Sequence, residues 1–132
     1  MTIQTATCPA PSVVKPCNCS AIGNIIALNC DNKDLTDSAI SAILRNYTTA
    51  MGFSSNLTEL NLNNNQLTKL PSEVGFFSRL SGLFANYNQI TQLTSGTFDP
   101  ATKLNYLTLM GNKIKTIAPG ALPSELLLSS IH

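Results

Sequence analysis

From residue 57 onward the apolar residues recur in one spacing. Leu57-x-x-Leu60-x-Leu62-x-x-Asn65-x-Leu67-x-x-Leu70 returns as Leu80-x-x-Leu83-x-Ala85-x-x-Asn88-x-Ile90-x-x-Leu93. It returns again as Leu104-x-x-Leu107-x-Leu109-x-x-Asn112-x-Ile114-x-x-Ile117. Alternation at Leu60 and Leu62 is the period of a short strand with one buried face, and Leu57, Leu67 and Leu70 turn the same way from the flanking bends. One such unit cannot bury its own leucines, whereas stacked copies build a continuous core and a parallel sheet. The starts at Leu57, Leu80 and Leu104 are almost evenly spaced, and the same step onward leads to a further start at Leu128 and Ile131.

Two positions break the pattern. Ala85 stands where the other copies place leucine, an under-filled core site whose cost is roughly 2 kcal/mol or more unless its neighbours collapse into it. Phe84 stands where a polar residue is expected, and the register of the flanking leucines turns it out of the core. The asparagines Asn65, Asn88 and Asn112 serve the scaffold. Where the chain leaves each strand, backbone N–H and C=O groups point inward without a ladder partner, and a buried side-chain amide satisfies them.

Before the first copy, Ile25-x-x-Leu28-x-Cys30-x-x-Lys33-x-Leu35 is a degenerate repeat in the same register, with Ile25 and Leu28 predicted inward. Between 36 and 56, Thr36 or Asp37 caps a helix whose Ile40, Ile43 and Leu44 share one face, ended by Asn46-Tyr47-Thr48 and the glycine of Met51-Gly52-Phe53. Pro71, Pro100, Pro119 and Pro123 punctuate the later connections.

The four cysteines, Cys8, Cys17, Cys19 and Cys30, all lie in the first quarter of the chain, which suggests a local staple and an oxidising compartment. Zinc is disfavoured because the spacing lacks paired CxxC knuckles. A Cys17–Cys19 bridge would strain the chain, leaving Cys8–Cys19 with Cys17–Cys30, or Cys8–Cys17 with Cys19–Cys30. Each bridge closes a loop of about a dozen residues, worth roughly 3 kcal/mol in the chain-entropy model.

The pattern LxxLxLxxNxL at this period resembles the leucine-rich repeat family, with residues 8–35 similar to its cysteine-rich N-terminal cap. The resemblance covers the chain from about Ile25 to its end. It implies an α/β repeat fold, a curved right-handed solenoid with short parallel strands on the concave face and an irregular or short-helical convex side. Family caps pair the first cysteine with the third and the second with the fourth, which favours Cys8–Cys19 and Cys17–Cys30. Phe98 sits where family members place a core phenylalanine, Leu122 sits there one repeat later, and Val74 with Phe77 serves in the shorter first repeat. The organisation is then a tail at 1–7, the cap at 8–35, a helix-containing connection at 36–56, repeats at 57–79, 80–103 and 104–127, and the start of another at 128–132.

Charge and chemistry narrow the function. The formal net charge is +1 with 11% of residues charged, so no basic field draws nucleic acid or an anionic membrane. No apolar run reaches the roughly 18 residues of a spanning helix. Residues 1–7 lack the basic start and apolar stretch of a signal peptide, so the secretory signal is expected to be absent from this chain. His132 is the only histidine, no metal or phosphate site is legible, and the carboxylates are scattered, so we expect no enzyme and no cofactor.

Surface recognition remains. The register places Thr58, Glu59, Asn61, Asn63 and Asn64, then Ser81, Gly82, Phe84, Asn86 and Tyr87, then Asn105, Tyr106, Thr108, Met110 and Gly111 on the concave face. Against small and amide-bearing neighbours, Phe84, Tyr87, Tyr106 and Met110 stand out as a protein-binding patch rimmed by Glu59, Asn61, Asn63, Asn86 and Thr108. A glycan or microbial surface would use similar residues. Sequons at Asn18, Asn46 and Asn56 are candidate glycosylation sites. Without a second cysteine-rich cap, Leu126, Leu127, Leu128 and Ile131 would expose a hydrophobic end, explained by truncation, a makeshift capping strand or self-association. The expectation is a secreted or ectodomain module of the adhesion, receptor or innate-immune type that binds a protein ligand. The alternative is a structural subunit that oligomerises through its C-terminal end.

Overall fold

The computed structural model describes residues 7–52, 57–96, 98, 103–122 and the backbone of 127–131. A six-stranded sheet organises them, built from β1 (Asn18–Ile22), β2 (Ile25–Asn29), β3 (Glu59–Asn61), β4 (Gly82–Phe84), β6 (Tyr106–Leu109) and β8 (Leu127–Ile131) in that spatial order. β1 and β2 form an antiparallel hairpin, and each later strand adds in parallel to the one before. A second parallel pair, β5 (Gln92–Leu93) with β7 (Thr116–Ile117), links successive connections behind the sheet.

Leu28, Leu60, Leu83 and Leu107 pair in one row across four strands and all are fully buried. Leu57, Leu62, Leu67, Leu80, Ala85, Ile90 and Leu109 continue the same core, and Val74, Phe77 and Phe98 close it from the connections. Pairs of identical core positions stacked at the strand spacing of about 4.8 Å are what make the apolar column continuous. Ala85 is fully buried, and its carbonyl accepts from the Nδ2 groups of both Asn88 (3.3 Å) and Asn112 (2.8 Å).

Each of those asparagines staples its own turn to the repeat before it. Asn65 Oδ1 accepts the N–H groups of Lys33 (3.1 Å) and Leu35 (2.9 Å), while its Nδ2 donates to the carbonyls of Cys30, Leu62 and Asn63. Asn88 accepts from Leu67 N–H at 3.1 Å and donates to Leu62, Ala85 and Asn86. Asn112 accepts from Ile90 N–H and donates to Ala85 and Leu109, but it is only half-buried, short of the burial expected for it.

The disulfides are Cys8–Cys19 and Cys17–Cys30, which tie the hairpin to the segment before it. Behind them runs α1 (Asp37–Met51), where Thr36 Oγ1 accepts Ala39 N–H as the N-cap. The helix continues through Asn46, Tyr47 and Thr48, contrary to the expectation that these residues end it, and stops at Gly52. The apolar stripe explains the extra turn: Tyr47 follows Ile40, Ile43 and Leu44 on the buried face, and its ring meets Phe77 edge-on at 5.8 Å. Burial pushes the Tyr47 phenol up to about 12, and its hydroxyl has no hydrogen-bond partner among the described residues. Beside it, the buried Glu73 carboxylate accepts from Ser41 Oγ (2.9 Å) and Arg45 Nε (3.0 Å), which joins the helix to the short 3-10 turn at Ser72–Phe76.

Several expectations are corrected. Ile25 is half-exposed while Ile26 is buried, because residue 25 belongs to a true strand opening from a hairpin, and pleating then turns 26, 28 and 30 inward together. Ala121 is buried where Leu122 was expected, and Ile117 is exposed. The last strand pairs Leu128 with Leu107 and Ile131 with Leu109, where the repeat spacing predicts Leu104 and Leu107, and Ser129 is passed over at the irregularity. Three consecutive leucines, 126 to 128, carry no alternation that would pin one register. β8 therefore flanks β6, so β6 is an inner strand of the sheet.

Replacing Asn88 with alanine strands the Leu67 N–H and takes one of two donors from the carbonyls of Leu62, Ala85 and Asn86, which keep Asn65, Asn112 and Asn64, and should cost about 2 kcal/mol in denaturant melts with both disulfides intact. A loss below about 1 kcal/mol would show that water takes over these groups.

Candidate ligand-binding face

The face of the sheet opposite the leucine core is ordered by strand pairing into two rows. One contains Ala27, Glu59, Gly82 and Tyr106; the next contains Asn29, Asn61, Phe84 and Thr108. Side-chain alternation puts both rows on the side away from Leu28, Leu60, Leu83 and Leu107.

Phe84 is half-buried on this face, with its ring centroid 5.7 Å from that of Tyr106 and the two planes tilted by 52°. The ring lies over Gly82: a Cβ at that position would sit 3.3 Å from Phe84 Cζ and 3.8 Å from Glu59 Cγ. A shallow depression of about 370 Å³ results, lined by Glu59, Ser81, Gly82, Phe84, Asn105 and Tyr106. On the other side of Phe84 and Glu59 a smaller hollow of about 190 Å³ is lined by Ser20, Ala27, Leu28, Asn29 and Asn61.

Tyr87 and Met110 form a second pair, in the bends that follow β4 and β6 and not on the strands themselves. The Tyr87 hydroxyl donates to Met110 Sδ at 3.3 Å, and both side chains are exposed. The Tyr87 backbone is left-handed, with φ of 57°. The matching positions in neighbouring repeats are Asn64 (φ 59°) and Gly111 (φ 75°), residue types that tolerate this region. Gly111 has a further constraint, since a Cβ there would lie 2.4 Å from Tyr87 Cδ1. The tyrosine ring packs against a glycine, and its own backbone conformation costs of order 1–3 kcal/mol.

The amides that were expected to rim the patch have structural roles. Asn63 Oδ1 accepts Asn86 N–H at 2.7 Å, and Asn86 Oδ1 accepts Met110 N–H at 2.7 Å, a second ladder at one repeat position. Asn61 Oδ1 accepts Asn63 N–H, as Asn29 Oδ1 accepts Asp31 N–H. Their carbonyl oxygens are thus committed to the scaffold. The sequence reading missed this, although the recurrence of asparagine at 63 and 86, one repeat apart, is its signal. Thr108, expected on the open rim, is 9% exposed, because β8 pairs along β6 beside it; its hydroxyl has no partner among the described residues.

Of the sequons, Asn18 is exposed in β1 and Asn46 is exposed on α1, while Asn56 lies outside the described residues. No group of side chains able to hold a metal ion occurs among the described residues, and no described helix is long and apolar enough to cross a membrane.

Comparison with the curated proteins gives no match. The family profile of the leucine rich repeat matches residues 55–114, which span β3, β4 and β6, the helical turn at Ser72–Phe76 and all three asparagines of the inner ladder. Such repeats generally mediate protein–protein interaction. The match and the stacked strands together support reading the central part of this chain as a leucine-rich repeat array behind a disulfide-bonded N-terminal segment.

Proposed function

We propose that this chain is an extracellular binding module, a curved solenoid that offers the Glu59–Phe84–Tyr106 face as its concave surface to a protein ligand and performs no chemistry on it. The observation that carries the reading is Tyr87. A bulky aromatic held in left-handed backbone, half exposed and laid on a glycine, occupies a position where the neighbouring repeats have asparagine and glycine. Strain of that kind persists where the surrounding packing holds it, as Gly111 and Met110 do here, and it clusters at binding surfaces. Phe84, Tyr106 and Met110 add apolar surface on the same side, in the composition of an interface anchor. The two disulfides suit an oxidising compartment, and Asn18 and Asn46 are accessible for glycosylation.

The test uses a panel of multimerised extracellular domains probed with the folded chain. Phe84→Ser together with Tyr106→Ser should abolish capture of the partner, about a hundredfold or more in affinity if both are anchors. The melting curve and disulfides should be preserved, because neither side chain belongs to the leucine core. Undiminished capture by the double variant removes this face from consideration. Tyr87→Asn should raise stability by about 1 kcal/mol through relief of backbone strain, while weakening the same partner. A fall in stability would mean that ring packing on Gly111 outweighs the strain.

A further inference from the structure

Glu59 is the only charged residue in the six strands of the sheet. It is half-buried, and among the described residues its carboxylate forms no ion pair and no hydrogen bond. Elsewhere the described carboxylates are used: Glu73 holds Arg45 and Ser41, Asp37 accepts from Thr68, Asp34 from Gln66 and Asp31 from Asn64. Glu59 alone is left to face a hollow.

The hollow has a defined shape. Glu59, Gly82 and Tyr106 occupy one row on three adjacent strands, so the backbones of Glu59 and Tyr106 stand two strand spacings, about 10 Å, apart with a residue that carries no side chain between them. Phe84, from the next row, leans its ring over that glycine. The result is a carboxylate on one wall, a phenol ring on the other, and a second ring beside the gap.

We infer that this depression is a receptor for the guanidinium of an arginine side chain presented by the protein ligand. The two aromatic rings offer negative π faces within reach of a cation, and the carboxylate offers two acceptor oxygens to the planar donor fork. Arginine fits better than lysine because its flat, weakly hydrated head stacks on rings while a carboxylate engages its edge. Charge complementarity agrees: the sheet face carries a carboxylate and no cation, since none of the eight lysines and arginines lies in its strands. The inference rests on the sheet face being the binding surface and adds what that surface recognises.

The test is a heteronuclear NMR titration of the intact chain with N-acetyl-arginine amide, and in parallel with its neutral isostere N-acetyl-citrulline amide. Arginine is expected to shift the Glu59, Gly82, Phe84 and Tyr106 resonances, with citrulline about tenfold weaker or more, the loss of one charge-assisted contact. Glu59→Gln, which keeps the side-chain shape, should weaken the arginine response by about the same factor and leave citrulline unaffected. Equal responses to arginine and citrulline, shifts scattered over other acidic residues, or an unchanged response in Glu59→Gln would overturn the arginine site. The two proposals fail separately. A partner lost in the Phe84/Tyr106 double variant but indifferent to Glu59→Gln sinks the arginine site alone, whereas a partner retained in the double variant sinks the binding face.

Discussion

A chain that leaves a strand and reverses direction within a few residues carries peptide groups into the interior, and every repeat here must do so. The stack depends on how those groups are satisfied. Asn65, Asn88 and Asn112 each accept from the turn of the preceding repeat and donate to carbonyls of their own turn and the preceding one. A buried unpaired peptide group costs about 1–3 kcal/mol, so a repeat that slipped relative to its neighbour would forfeit several such bonds together. The leucines supply the attraction, and the asparagines make it specific to one register.

That register has consequences on the opposite face. With Leu60, Leu83 and Leu107 fixed inward, Glu59, Asn61, Gly82, Phe84 and Tyr106 have no choice but to face out. The outer asparagines Asn63 and Asn86 extend hydrogen bonding past the strand ends until Met110, where the ladder stops and the thioether instead receives the Tyr87 hydroxyl. The aromatic pairs therefore sit on a backbone that is hydrogen-bonded from below and from the side, which suits a preorganised binding surface.

The core leucines, the inner asparagine ladder, the helix stripe and the cysteine staple were legible because each is a periodic or counted feature of the sequence. The β1–β2 hairpin was legible in principle, since Gly23-Asn24 is a two-residue hairpin signal and Gly23 has the positive φ of 61° that such a turn needs, but the repeat register was extended through it, which put Ile25 on the wrong face. The roles of Asn61, Asn63 and Asn86 were hidden because an amide on a surface strand reads equally as ligand contact or backbone cap; only the hydrogen-bond geometry separates the two. Gly111 gave no hint of its role, which is defined by Tyr87 in the preceding repeat. The register of β8 was illegible where three leucines follow one another.

The most direct test is native-state hydrogen exchange at the backbone amides of Leu35, Leu67 and Ile90, none of which belongs to a strand or helix. Each donates to an inner-ladder asparagine. They should exchange on the timescale of the strand amides, slowed by about a thousandfold or more relative to exposed turn amides. Exchange at the rate of an exposed turn would contradict the account, for the register would then rest on the leucines alone.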